Sequence, residues 1–174
     1  MKSRRIVIIA LALVAALTLG VGYAALNDAL TVGGTGTLTK TNADDLFDGL
    51  VYFEGDPVTT NCDAELASGD KPDSATITID DTNPNHNIAI MGDVATATFT
   101  VKNDSTVPVT IVTNTSTDSE HFRVTAVYPE GQNVYQVEAG KTTTITVKVS
   151  LKNTVAADVT GETFNISFNV ASAG

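Results

Sequence analysis

The sequence predicts an all-β fold: an antiparallel two-sheet β-sandwich, immunoglobulin-like or jelly-roll-like, of about nine short strands behind an N-terminal signal helix. Three observations lead there. Three long stretches alternate between apolar and polar residues, turn-forming residues recur between them, and past residue 24 almost nothing carries helical periodicity. VATATFTVKND sets Ala95, Ala97, Phe99 and Val101 against Thr96, Thr98, Thr100 and Lys102. TTTITVKVSLK repeats the pattern with Ile145, Val147, Val149 and Leu151 inward, and TFNISFNVAS with Phe164, Ile166, Phe168 and Val170. Side chains two apart on a strand share a face, so each stretch predicts a strand with one buried and one wet side.

In chain order, Lys2, Arg4 and Arg5 form a basic start, IVIIALALVAAL a continuous apolar run, and Gly22, Tyr23 and Ala24 a small-residue end. This is the build of a secretory signal over residues 1–24, with cleavage between Ala24 and Ala25. The other reading is an uncleaved anchor, because no charge lies between Arg5 and Asp28. Either way the domain is outside the cell, secreted or at the surface, and touches a membrane only through the leader.

Residues 25–40 follow with a period of two. Leu26, Leu30, Val32, Gly34, Gly36 and Leu38 fall on one side, and Asn27, Thr31, Thr35, Thr37 and Thr39 on the other. A strand directly behind a cleavage site has nothing upstream to pair with, so its partner lies later in this chain or in another one. NADDLFDGL predicts one turn of helix capped by Asn42 and ended by Gly49. Weaker strand candidates are GLVYFE, SATITID, VPVTIVTN, HFRVTAVYP and NVYQVEAG. Turns at Gly55-Asp56-Pro57, Gly92-Asp93, Asn103-Asp104-Ser105, Pro129-Glu130-Gly131 and Ala139-Gly140-Lys141 separate the strands. Residues 41–174 thus form the sandwich domain, and 56–87, polar and acidic apart from Ile77 and Ile79, form a surface excursion carrying one strand.

Composition narrows the function. The chain has 20 acidic and 10 basic residues, a net charge of −10, and loss of the three leader cations takes this to −13. Such a surface repels nucleic acid and anionic lipid and keeps a secreted domain soluble. Cys62 is the only cysteine, so no intrachain disulfide forms, and NCDAEL lies too far from the leader to be a lipid-attachment site. A partly buried, inert thiol is the expectation; an exposed cross-linking thiol is the other state.

No set of residues predicts an enzyme, and no catalytic residue is assigned. His86 and His121 lie in different segments outside any zinc-protease signature, and neither is spaced with Cys62 as zinc ligands are. A surface-loop histidine and a strand-start histidine account for them. No serine sits in a nucleophile elbow, and Asp44-Asp45 and Asp80-Asp81 are adjacent pairs that point to opposite faces of a strand. No metal or cofactor is expected, with calcium alone left open: Asp56, Asp63, Asp80, Asp81, Asn83 and Asp93 could converge in loops, though no EF-hand-type loop is present. Asn-x-Ser/Thr triplets occur at Asn103, Asn114 and Asn165.

Two groups of residues resemble one family. Gly22, Tyr23 and Ala24 followed by Ala25, Leu26, Asn27 and Asp28 look like the junction cut by the SipW-type signal peptidase of Gram-positive bacteria. GDVATATFTVKNDS, with Gly92, Asp93, Phe99, Val101 and Asn103, is similar to a strand of the TasA and camelysin family, as are EAGKTTTITVKV and FNISFNV. The resemblance implies an export partner in that peptidase, and a biofilm-matrix fibre subunit. Copies would assemble into a head-to-tail filament by donor-strand complementation, with Leu26, Leu30, Val32 and Leu38 as anchors in a neighbour's sheet. A monomeric adhesion or binding module, with or without calcium, is the alternative. Camelysins are classed as metallopeptidases, but no metal motif carries that activity over, and it ranks last.

Overall fold

Valine, isoleucine, phenylalanine and threonine dominate the alternating stretches, and such side chains suit a pleated, half-buried surface. In the computed structural model each of the nine candidate segments carries a strand. The structure describes residues 32–42, 47–80, 83, 85–86, 88, 92–116, 119–131, 134–154 and 158–173, so the predicted signal helix lies outside the described residues. Among these, eleven strands make an all-β chain: β1 (Val32–Asn42), β2 (Val51–Phe53), β3 (Val58–Thr60), β4 (Asp63–Leu66), β5 (Ser74–Ile79), β6 (Val94–Asn103), β7 (Val109–Ser116), β8 (Phe122–Val127), β9 (Val134–Val137), β10 (Thr142–Leu151) and β11 (Val159–Ser172).

They form two sheets. The first has the order β4-β5-β1-β11-β7-β9, and the second β2-β6-β10-β8, with β3 also on β6. β2 pairs with β6 at Val101 to Asn103 and β3 with β6 at Thr96 to Thr98, so two short strands share one edge. Phe99, Val101, Ile145, Val147 and Phe122 are buried on the second sheet, as are Leu38, Ile77, Ile111, Ile166 and Phe168 on the first. Rings join the two faces: Phe53 on β2 meets Phe168 on β11 at 5.3 Å, and Phe122 on β8 meets Phe164 on β11 edge-on at 6.1 Å. Burying each such ring contributes on the order of 1.5–3 kcal/mol.

Two expectations need correction. The 56–87 excursion carries β3, β4 and β5, so three strands stand where one was expected. β3 and β4 are exposed edge strands held by main-chain pairing to β6 and β5, and edge pairing leaves little apolar alternation to read. Pairing is not wholly antiparallel, since β1 runs parallel to β11. Asn42 ends β1 opposite Val170; residues 43–46 of the expected helical turn lie outside the described residues, Phe47 after them has 3-10 helical geometry, and Gly49 follows at φ 64°.

The strand singled out by motif is β6. Gly92, at φ 113°, makes the entry turn beside Asp93, and Phe99 and Val101 are buried. Asn103, fully buried, ties the exit corner together. Its amide nitrogen reaches the carbonyls of Val107 (2.9 Å), Val137 (3.0 Å) and Glu138 (3.2 Å), while its Oδ1 accepts from the backbone N–H and hydroxyl of Ser105 (3.1 and 2.7 Å). Asn103→Ala would strand these partners in a buried corner, and urea unfolding should register a loss of about 2–3 kcal/mol. The exposed Thr142→Ala should stay within about 0.5 kcal/mol.

Candidate functional site: the slot of the first strand

β1 opens the described chain yet lies in the interior of its sheet. It pairs antiparallel with β5, from Gly34 opposite Ile79 to Thr39 opposite Ser74, and parallel with β11, from Val32 opposite Val159 to Asn42 opposite Val170. Between the Val32–Val159 and Gly34–Glu162 pairs β11 has one residue more than β1, and Gly161, at φ 72°, sits in that bulge. From Gly34 to Lys40 even positions are buried and odd ones exposed. Among the expected anchors, Val32 and Leu38 are buried in their own chain's core, 4% and 0% exposed. Leu26, Leu30 and the junction Ala24–Ala25 lie outside the described residues. In the single chain, β1 pairs along both edges with its own β5 and β11.

Two glycines make the slot possible. A Cβ at Gly36 would lie 1.8 Å from Cε2 of Phe164, and one at Gly34 would lie 2.5 Å from Cε2 of Phe122 and 2.8 Å from the Glu162 carbonyl oxygen. The rings occupy the space that side chains on β1 would take, and they contact each other edge-to-face. Alternation alone placed these glycines on the inward row. It did not reveal that rings from β8 and β11 cover them, because contact partners have no local signal in the sequence.

The far end of β1 breaks the apolar pattern. Lys40 takes an inward position, and its Nζ, almost without solvent contact, donates to the carbonyls of Val51 (2.8 Å) and Phe47 (3.4 Å), with Asp48 at 3.9 Å. Its backbone N–H donates to the Asp73 main-chain carbonyl (2.8 Å). Burial lowers the pKa of its amine, opposed by the charges of Asp48 and Asp73. Near the start of β1, Glu162 stands opposite Gly34, accepts from the Ser119 hydroxyl and lies 3.0 Å from Nδ1 of His121. The Ser119 hydrogen bond, above all, holds its carboxyl below the usual range.

No protein-family model and no curated protein matches the chain. The site therefore rests on its own geometry.

Elsewhere, Cys62 is buried with its thiol toward the Thr96 carbonyl (3.3 Å), and burial raises its pKa to about 11. His86, expected on a surface loop, is instead buried: its Nδ1 accepts from the Asp80 backbone N–H (3.0 Å), and its Nε2 faces Asp63 at 3.6 Å. Its contacts with Asp80, just past β5, and Asp63 on β4 join positions that no sequence motif links. No group of three or more metal-ligating side chains gathers among the described residues.

Two measurements probe the slot. Gly36→Val, forced against a fixed buried ring, should lower stability by about 3 kcal/mol, with Gly36→Ala intermediate, in denaturant unfolding. Lys40 gives a pH signature. Because its folded pKa is below the unfolded value of 10.5, the unfolded chain binds more protons in that window, and stability gains as pH rises through it. Wild-type stability minus that of Lys40→Met should therefore grow as pH rises towards the unfolded value of 10.5.

Proposed function

We propose that the protein is a secreted structural subunit of an extracellular fibre, built as a jelly-roll-type sandwich whose first strand is an exchangeable insert. The observation that carries this reading is the place of β1 between β5 and β11. Without β1, the pieces β4-β5 and β11-β7-β9 of the first sheet remain, facing β2-β6-β10-β8, and the chain passes from sheet to sheet at every step after β5. That is a jelly-roll winding in which the opening and closing strands of the roll, β5 and β11, run antiparallel and would be neighbours. β1 separates them.

An N-terminal strand in such a slot makes the same contacts whether it comes from its own chain or from the next one, which is the energetic basis of strand exchange. Exchange passes β1 of one copy into the β5–β11 slot of another, a head-to-tail contact that does not close and so propagates. Release by signal peptidase cleavage at Ala24–Ala25 frees the strand's N-terminal end for this transfer. The pairing of β1 within its own chain favours a second reading, a monomeric surface-binding module in which β1 never leaves.

Strand transfer can be tested in trans. A chain starting at Lys40 should stay monomeric and melt early, and a synthetic peptide of residues 25–42 should restore its stability, whereas the same peptide carrying Gly36→Val should not. The processed chain, Ala25–Gly174, should form elongated, salt-tolerant oligomers. A shortened chain that ignores the peptide, together with a processed chain that sediments only as a monomer, would establish the second reading.

A further inference from the structure

The outward rows of β6, β10 and β8 carry a charge pattern at odds with the rest of the molecule. In a chain of 20 acidic and 10 basic residues, these three strands turn Lys102, Lys148 and Arg123 outward, and every other outward position on them is threonine, serine or valine. Lys102 spends its ammonium on the Gly140 carbonyl at 2.9 Å. Lys148 and Arg123, both exposed, have no acidic partner among the described residues. Arg123 pairs with Ser150 and Lys148 with Thr125, so the two cations are diagonal neighbours across β8 and β10, about 7–8 Å apart. Two unpaired cations on an acid-free face form a local positive field that draws a pair of anionic groups.

We infer that this face binds a second copy of the chain through the β4 edge. There Asp63 and Glu65 are exposed and two residues apart on one strand, so their carboxylates repeat at about 7 Å, close to the spacing of the two cations. Among the described residues β4 ends its sheet with a free main-chain edge, and the only basic side chain beside this carboxylate pair is the imidazole of His86, next to Asp63. Because the cation pair is on one sheet and the carboxylate pair on the edge of the other, each contact leaves one copy with an unused carboxylate pair and the other with an unused cation pair. The contact is head-to-side and propagates. It makes no use of β1, so it stands independently of strand exchange and supplies lateral association instead.

Charge reversal tests it. Sedimentation velocity of Ala25–Gly174, which contains all eleven strands, should show association at about 50 mM salt that is lost at about 500 mM, where screening shortens to a few ångströms. Association that survives high salt reports strand exchange rather than this contact. The double variant Arg123→Glu/Lys148→Glu should weaken the salt-sensitive association at least tenfold. Asp63→Lys/Glu65→Lys should do the same, with Glu65→Lys alone as the control should Asp63 prove necessary for the His86 fold. An equimolar mixture of the two reversed proteins should associate again. An unchanged wild-type-like association in the face variant, or a mixture that stays monomeric, overturns the inference. So does a wild-type monomer that binds polyglutamate only while Arg123 and Lys148 are present, which assigns the face to a different anionic partner.

Discussion

The first sheet depends on two missing side chains. At Gly34 and Gly36, β1 presents bare backbone, and the rings of Phe122 and Phe164 lie where Cβ atoms would be. Those same rings meet edge-to-face across the two sheets, so one small region fixes the seat of β1, the inner face of β11 and the approach of β8. A glycine within a strand ordinarily weakens it. Here the covering rings recover that cost through burial, and they do so only if β1 holds a single register, because a shift of one residue would push threonine side chains into the rings.

That constraint decides what β1 does in the architecture. It bridges β5 and β11, which no other strand among the described residues connects, and so joins the β4-β5 pair to the rest of its sheet. Its contacts are dense at the glycine end and again at Lys40, whose buried amine grips the turn that follows. From Gly34 to Lys40 its outward residues are Thr35, Thr37 and Thr39, with Thr37 donating to Asn165 on the neighbouring strand (2.7 Å). A strand with one uniform polar face, one shaped face and two main-chain edges holds everything needed for seating and nothing tied to a particular chain. The fibre proposal draws on that property. The cationic face of the second sheet adds a separate, screened attraction whose range is set by salt.

Much of this was legible in the sequence, and the reasons for the rest are physical. β6 and β10 each alternate completely between a buried and an outward row, so their extents follow from the pattern, whereas β11 alternates only from Phe164 onward and its bulged start at Val159–Thr163 does not. β3 and β4 bury little, and their main-chain pairing leaves no composition to detect. The parallel partnership of β1 with β11 joins residues more than a hundred positions apart, and no local pattern encodes such a match. Lys40 was hidden for the opposite reason: a lysine at an inward position looks like the end of a strand until the carbonyls of Phe47 and Val51 are seen to receive it. The role of Asn103 was readable, since an asparagine closing a strand before Asp-Ser commonly bonds the exit turn. Its reach to the end of β9 depends on the fold.

Native-state hydrogen exchange on the monomeric chain tests the separability of β1 most directly. If β1 is an insert, the amides of Thr35, Thr37 and Thr39 should exchange together through an opening well below the free energy of global unfolding, while those of β6 and β10 exchange only when the whole domain unfolds. Exchange of β1 at the global free energy, in step with β10, would mean that the strand leaves its slot only when the fold is lost.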